Sequence, residues 1–166
     1  RWKRAFTQMQ SQTKRMNALV NDLLLLSNLE NNKKVAKNQI IEMANLMNQV
    51  FDDARAYNLD YGHTLNLDID SHCDLIGSDM EIASAFSNLI TNAIKYTPKG
   101  GIINIGWHEQ GDLAYFTVQD NGIGINPKHL PRLTERFYRV DSARSRQTGG
   151  TGLGLAIVKH VLMQHG

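Results

Sequence analysis

The chain has 166 residues, of which 42% are hydrophobic and 20% are charged. This composition excludes a disordered chain, and the length suits one compact domain with an appendage. The formal net charge of +2 is too small to indicate a nucleic-acid-binding protein. A single cysteine, Cys73, excludes an internal disulfide, so a reducing compartment is expected.

Membrane and targeting signals are missing from the sequence. No apolar run approaches the ~20 residues that a membrane-spanning helix needs, so the sequence predicts a soluble piece. The first residue is Arg1 and no signal-peptide pattern follows it. We therefore expect a fragment of a longer protein.

Residues 1–30 are predicted to form one long helix with an apolar stripe. The stripe advances in steps of three and four residues, and includes Trp2, Phe6, Met9, Met16, Val20 and Leu23. Such a pattern favours a helix that packs against partner helices, and we expect a dimerisation role. The alternative is an amphipathic helix that packs on its own domain. Because the polar stretch 30–34 ends the pattern, we divide the chain into segments 1–32 and 33–166.

The globular segment is predicted to alternate helices and strands. Expected in order are a strand at 39–42, a helix at 44–58, strands at 63–70 and 73–76, a helix capped by Ser78, a hairpin of strands 102–107 and 113–118, and a closing helix at 152–164. Residues 126–150 form an irregular stretch longer than an ordinary loop, which indicates a functional segment. Mostly antiparallel strands alternating with helices favour an α+β two-layer sandwich.

A pair of carboxamides lies on the helix that follows Ser78. Asn88 and Asn92 are spaced i, i+4, so both project from one face, where amide oxygens suit Mg²⁺. Lys95 and Tyr96 extend that surface by one turn. Taken alone, this spacing is also typical of solvated asparagines.

A carboxylate follows the second hairpin strand. Asp120 comes immediately before a turn that contains Gly122 and Gly124, and its ionised side chain could accept a hydrogen bond from the amine of adenine. The alternative is an ordinary turn, because D-N-G is a common turn sequence.

A glycine-rich loop from Gly149 to Gly154 precedes the closing helix. The unsatisfied amides at the start of that helix predict a phosphate site. A Walker A loop is excluded because G-x-x-x-x-G-K-[ST] does not occur. A Rossmann loop is excluded because a polar run, rather than a strand, precedes the glycines.

The irregular segment before this loop is strongly basic. Its cationic residues are Lys128, Arg132, Arg136, Arg139, Arg144 and Arg146, against two acidic residues between positions 128 and 146. This excess favours a flap that folds over phosphate groups, with one or two arginines in contact. The alternative is a solvated basic loop. Phe137 and Tyr138 are predicted to anchor the flap to the core.

Four segments together resemble the ATP-binding boxes of bacterial sensor histidine kinases. They are N-L-I-T-N-A-I-K-Y-T-P, D-N-G-I-G-I, R-F-Y-R-V-D and G-G-T-G-L-G-L-A-I-V-K-H. The resemblance implies a Bergerat (GHKL) sandwich that binds ATP and Mg²⁺ beneath a flexible lid, preceded by one long dimerisation helix.

The resemblance also implies roles for individual residues. Asn92, supported by Asn88, would bind Mg²⁺, Lys95 and Arg139 would contact phosphate, and Tyr96 would line the adenine side. Asp120 would accept a hydrogen bond from the adenine amine. The remaining predicted cofactor-binding residues are Gly122, Gly124, Ile125, Phe137, Gly150, Thr151, Gly152, Leu153 and Gly154.

Protein-histidine kinase activity is the function that the resemblance implies. Related ATPases have a glutamate where this chain has Asn88, so transfer to a protein acceptor is favoured over hydrolysis. The acceptor histidine of an H-E-x-x-[ST]-P segment is missing, so no catalytic residue is predicted within the chain. Expected partners are a second copy, through the first helix, and a response regulator receiver domain. The expected location is the cytoplasmic portion of a bacterial inner-membrane protein. The alternative function is a non-catalytic interaction module in which nucleotide only stabilises the fold.

Overall fold

The computed structural model describes residues 2–31, 39–140 and 150–165. In chain order the elements are α1 (Trp2–Asn31), β1 (Gln39–Ile41), α2 (Met43–Asn58), β2 (Thr64–Asp70), β3 (Leu75–Gly77), α3 (Asp79–Tyr96), β4 (Ile102–Gln110), β5 (Leu113–Asp120), a 3-10 helix (Pro127–Arg132) and α4 (Gly154–His165). Each predicted helix and strand is present with small shifts at its ends. The largest shift is at the end of β4, which was expected at residue 107 and lies at Gln110. Most of the predicted linker lies outside the described residues.

Two sheets form from these strands. The larger has the order β2-β4-β5, with β2 parallel to β4 and β4 antiparallel to β5. The smaller pairs β1 with β3 in antiparallel fashion. Two of the three pairings are antiparallel, as expected. The β2–β4 pair is parallel, and the connection between these strands contains α3, which provides the crossover that a parallel pair needs.

Helix α3 begins where its sequence predicts. The Ser78 hydroxyl accepts a hydrogen bond from the Glu81 amide at 3.4 Å, and two acidic residues stand in the first turn, where they favour the positive end of the helix dipole. One face is buried, and its members are Ile82, Ala85, Phe86, Ile90, Ala93 and Ile94. That face fixes which side chains α3 presents on its other sides.

The helices α2, α3 and α4 form one layer, and the larger sheet forms the other. Helix α3 lies between α2 and α4 and contacts β4 and β5. Strand β4 turns Ile103, Ile105 and Trp107 into the core, while the Phe86 ring stacks on the Phe116 ring at 3.6 Å between centroids. The predicted two-layer α/β sandwich is confirmed.

Helix α1 packs on its own domain near one end and exposes apolar side chains at the other. Leu26 and Leu29, near its C-terminal end, are buried, and this end packs on α4. Trp2 and Phe6, by contrast, are 82% and 69% exposed. Across the described ranges, no helix has both the length and the apolar character needed to cross a bilayer.

Candidate functional site

One face of α3 presents the four residues that the sequence singled out. Asn88, Asn92, Lys95 and Tyr96 are all half-buried, at the border between the core and the surface. The Asn92 carboxamide makes no hydrogen bond to any residue that the structure describes. In the same residues, no group of three or more His, Cys, Asp or Glu side chains could hold a metal ion. This face does present amide oxygens, which are suitable ligands for a hard cation such as Mg²⁺.

The N-terminus of α4 lies directly against Asn88. The Asn88 amide nitrogen donates to the Ser84 carbonyl at 2.9 Å, which orients the side chain. A Cβ atom built on Gly154 would lie only 2.4 Å from Asn88 Oδ1, so α4 approaches α3 this closely because its first residue is glycine. This contact joins the carboxamide motif to the glycine-rich loop.

The Asp120 turn lies at the other end of the same face. Asp120 is the exposed last residue of β5, and its Oδ1 accepts from the Gly122 amide at 2.8 Å. The Ile123 amide donates to the Tyr96 carbonyl at 3.3 Å, and a Cβ on Gly122 would lie 2.7 Å from that oxygen. The turn therefore needs glycine to pack on the end of α3. Gly124 and Ile125 extend it into open, exposed positions.

Hydrogen bonds and burial hold the glycine-rich loop in place. The Thr151 hydroxyl accepts from the Leu153 amide at 3.3 Å, and the Gly152 carbonyl accepts from the Phe137 amide at 2.8 Å. The Leu153 side chain is fully buried and anchors the start of α4, whereas Gly150 faces open space. The loop thus presents the first amides of α4 beside Asn88. Gly149 lies outside the described residues.

The basic segment contains one arginine with an unusual environment. The Nε and Nη2 atoms of Arg139 are buried without a hydrogen-bond partner among the described residues. Arg132 instead pairs with Glu135 at 3.0 Å and lies over the Tyr138 ring, while Arg136 pairs with Glu30 of α1. Buried guanidinium nitrogens without a partner are costly, and a phosphate would satisfy them. The candidates Arg144 and Arg146 lie outside the described residues.

The predicted anchoring role of the two aromatic residues is wrong for Phe137. This residue is 56% exposed, and its backbone adopts a positive φ of 62°. What holds this position is the hydrogen bond, described above, that the Phe137 backbone amide donates to the Gly152 carbonyl. Tyr138 is half-buried, and its hydroxyl lies 2.6 Å from His129 Nδ1. The segment is therefore held by polar contacts and by its backbone.

Sequence reasoning missed an acidic residue that reaches this region from α1. Asp22 Oδ2 accepts a hydrogen bond from the Thr151 hydroxyl at 2.8 Å. Burial raises the pKa of Asp22, although the Thr151 bond and the charge of Lys95 oppose this shift. Burial likewise lowers the pKa of Lys95, and the charge of Asp22 opposes it. A lone acid beside an apolar stripe gave no signal that it would meet residues 95 and 151.

A cavity of about 420 Å³ lies elsewhere, between α2 and β2. Asp52, Arg55, Asn58 and His63 are among its lining residues, and none of the predicted site residues lines it. The His63 Nε2 atom is buried and lies 3.0 Å from the Ile94 carbonyl oxygen, within hydrogen-bond distance. We assign the functional site to the α3 face, where the convergent polar groups are.

Residues 77–166 match the family described as histidine kinase-, DNA gyrase B-, and HSP90-like ATPase. This match covers more than half of the chain and includes α3, the Asp120 turn and the glycine-rich loop. The chain belongs to this ATPase family. Its 77–166 segment is accordingly the ATP-binding domain of the family.

Curated relatives place the chain among sensor kinases within this ATPase family. It is 53% identical over 165 residues to the phosphate regulon sensor protein PhoR of Pseudomonas aeruginosa, covering 99% of this chain and 37% of that protein. It is 43% identical over 167 residues to PhoR of Haemophilus influenzae, covering 98% and 38%. The chain thus spans well under half the length of these relatives. The resemblance to sensor histidine kinases is confirmed, and both of these relatives are phosphate regulon sensors.

A solved structure supports the same fold. The mycobacterial sensor histidine kinase MprB matches with a TM-score of 0.67 and 26% identity, over 77% of this chain and 80% of that one. The Bergerat-type architecture expected of this ATPase family member is confirmed.

Proposed function

We propose that this chain is the ATP-binding catalytic part of a sensor histidine kinase. In this function it binds Mg-ATP and donates the γ-phosphoryl group to a histidine outside the chain, for relay to an aspartate of a response regulator. The observation that carries the proposal is the convergence of the Asp120 turn and the glycine-rich loop on one face of α3. That face contacts the first through Tyr96 and the second through Asn88.

Each group on this face suits one part of the nucleotide. Asp120 is exposed at the end of β5 and would accept from the adenine amine, with Tyr96 beside the base. Lys95 and the amides at the start of α4 would bind phosphate oxygens. Arg139, whose buried Nε and Nη2 atoms have no partner among the described residues, fits a phosphate in the same way.

The α3 carboxamides fit a magnesium ion that is shared with the nucleotide. Mg²⁺ is commonly held by one or two protein oxygens, phosphate oxygens and water, rather than by a cage of protein ligands. Asn92, whose amide makes no bond to the described residues, would be the main protein ligand, supported by Asn88. When bound, the ion neutralises charge on the phosphates.

Phosphoryl transfer depends mainly on the positioning of the reacting groups and on the stabilisation of negative charge. The bond from the γ-phosphorus to the bridging oxygen breaks, a bond to the acceptor imidazole nitrogen forms, and ADP leaves with the negative charge. The chain's groups would hold the phosphates in line while Lys95 and Arg139 stabilise that charge. Asn88 is neutral, so it cannot act as the water-activating base that a glutamate would provide. This supports transfer over hydrolysis.

The long helix α1 would mediate dimerisation. We infer that segment 1–32 is the second helix of a dimerisation and phosphotransfer domain and that 33–166 belongs to the catalytic domain. The exposed apolar side chains of α1, such as Trp2 and Phe6, support pairing with a second copy. By analogy with PhoR, the signal would concern phosphate and the kinase part would be cytoplasmic.

Calorimetry with Mg-ATP tests the nucleotide site. We expect Asn92→Ala and Asp120→Ala to abolish measurable binding. Matched controls are Asn48→Ala, an exposed helical asparagine on α2, and Asp112→Ala, in the hairpin turn. Undiminished affinity in either test variant would overturn the site assignment.

Radiolabelled ATP tests the transfer. The chain is mixed with a separate polypeptide that supplies a dimerisation helix containing the acceptor histidine. Label on that histidine, lost with Asn92→Ala, is the expected result. Binding of ATP without labelled histidine would favour the interaction module, and release of phosphate without an acceptor would favour an ATPase.

A further inference from the structure

The feature that the proposed function leaves unexplained is Asp22. This α1 carboxylate is 129 positions from Thr151 along the chain, yet its Oδ2 accepts a hydrogen bond from the Thr151 hydroxyl at 2.8 Å. The same hydroxyl oxygen accepts from the Leu153 amide, immediately before α4 begins. Asp22 therefore reaches the loop that is proposed to receive phosphate.

Several other contacts hold α1 in this position. Leu26 and Leu29 are buried, and the Leu29 carbonyl accepts from the Gln164 side chain of α4. The Glu30 carboxylate pairs with Arg136 of the basic segment. The approach of Asp22 is thus part of an extended interface rather than an isolated surface contact.

The position of Asp22 is electrostatically unusual. It is half-buried and interacts with the charge of Lys95, so a cation proposed to contact phosphate already faces an anion. A polyphosphate at the same place would meet both the cation and the anion. Two negative groups near one desolvated lysine repel each other and compete for it.

We propose that Asp22 is a positioning residue that opposes the nucleotide phosphates: contact of α1 with the glycine-rich loop and binding of the polyphosphate weaken each other. This inference rests on the proposed nucleotide site and adds a regulatory element to it. By reciprocity, nucleotide binding loosens the contact between Asp22 and Thr151 to the same degree. A movement of α1 that withdraws Asp22 would then raise nucleotide affinity.

A purely structural role for Asp22 makes a different prediction. Asparagine has the same shape and keeps an oxygen that can accept from Thr151, so Asp22→Asn removes the charge but keeps the hydrogen bond. If Asp22 only orients Thr151, this variant leaves nucleotide affinity unchanged. If its charge opposes phosphate, affinity rises with the number of phosphates on the ligand.

The experiment measures the binding of adenosine, Mg-ADP and Mg-ATP to the 166-residue chain by calorimetry. For Asp22→Asn we expect ATP to bind roughly five- to tenfold more tightly. This is the gain expected when one negative charge within ~10 Å of the phosphates is removed from a partly desolvated site. The gain for ADP is smaller, and adenosine is unchanged. Asp68→Asn, the same change at an exposed position on β2, leaves all three affinities unchanged.

A second variant, Asp22→Glu, keeps the charge and is expected to bind ATP within about twofold of the wild type. Thermal melting verifies that each variant is folded. Unchanged or weaker ATP binding in Asp22→Asn, an equal gain for adenosine, or tighter ATP binding in Asp22→Glu would each overturn the role of Asp22 and leave the proposed site intact. A wild-type chain that binds no ATP would overturn the proposed function as well.

Discussion

The substitution Gly154→Ala tests the close contact between α4 and α3. The new Cβ would lie 2.4 Å from Asn88 Oδ1 and 3.1 Å from Asn88 Cγ, whereas non-bonded heavy atoms prefer about 3.5 Å or more. Asn88 must therefore rotate away. In doing so it loses the bond from its amide nitrogen to the Ser84 carbonyl.

The expected stability change is a balance of small effects. The lost hydrogen bond costs about 0.5–1.5 kcal/mol, and a strained rotamer costs a similar amount. Alanine is more favourable than glycine in a helix by ~1 kcal/mol, which offsets part of this cost. We therefore expect a net loss of about 1 kcal/mol, together with weaker Mg-ATP binding because Asn88 is displaced.

A double-mutant cycle isolates the contact. In the Asn88→Ala background the obstructing side chain is absent, so Gly154→Ala should cost nothing there, and the coupling should be about 1–2 kcal/mol. Urea denaturation of the four proteins measures it. The matched control is Gly150→Ala, because a Cβ there would meet nothing within 4 Å. Additive effects of the two substitutions would refute the reasoning.

Three further predictions concern burial and charge. Leu153→Ala, at a fully buried position, should cost ~2–5 kcal/mol of stability in thermal denaturation. Leu162→Ala, at a position that is 56% exposed, should cost less than about 0.5 kcal/mol. Equal losses of stability in the two variants would contradict the burial of Leu153. Because burial lowers the pKa of Lys95, its charged form is less favourable in the folded than in the unfolded chain, and Lys95→Met should raise the melting temperature while weakening ATP binding. Lys99→Met, at an exposed position, should change neither, and a lower melting temperature for Lys95→Met would count against the argument. Burial raises the pKa of Asp22 above its ordinary 3.8. The contribution of this side chain to the stability of the folded chain is therefore complete below pH 3.8 and is lost as the pH rises through the pKa of the folded state. The stability of Asp22→Asn relative to the wild type should therefore increase from about pH 4 towards pH 7, and a constant difference would disprove this.

Local sequence patterns were sufficient for most of the secondary structure. Ser78 and the acids after it predicted the start of α3, and the alternation of Leu65, Leu67 and Ile69 predicted β2, whose aliphatic residues are half-buried together. These signals work because capping and alternation depend on residues close together in sequence. The ordered motifs likewise predicted which family the chain belongs to.

Contacts between distant segments were not predictable in this way. The parallel pairing of β2 with β4, the exposure of Phe137 and the contact of Asp22 with Thr151 each depend on where separate elements meet. Phe137 illustrates the reason. An aromatic residue in a loop suggests an anchor, but Phe137 is held through its backbone hydrogen bond to Gly152 while its side chain stays exposed.

The sequence by itself determined the elements, the ATPase family and the residues proposed to hold nucleotide and Mg²⁺, because these follow from residue types at fixed local spacing. Only the tertiary structure decided that Gly154 packs on Asn88 and that an acid of α1 lies beside Lys95 and Thr151. Such contacts join positions far apart in the chain. They arise from how buried faces pack, and no local pattern encodes that.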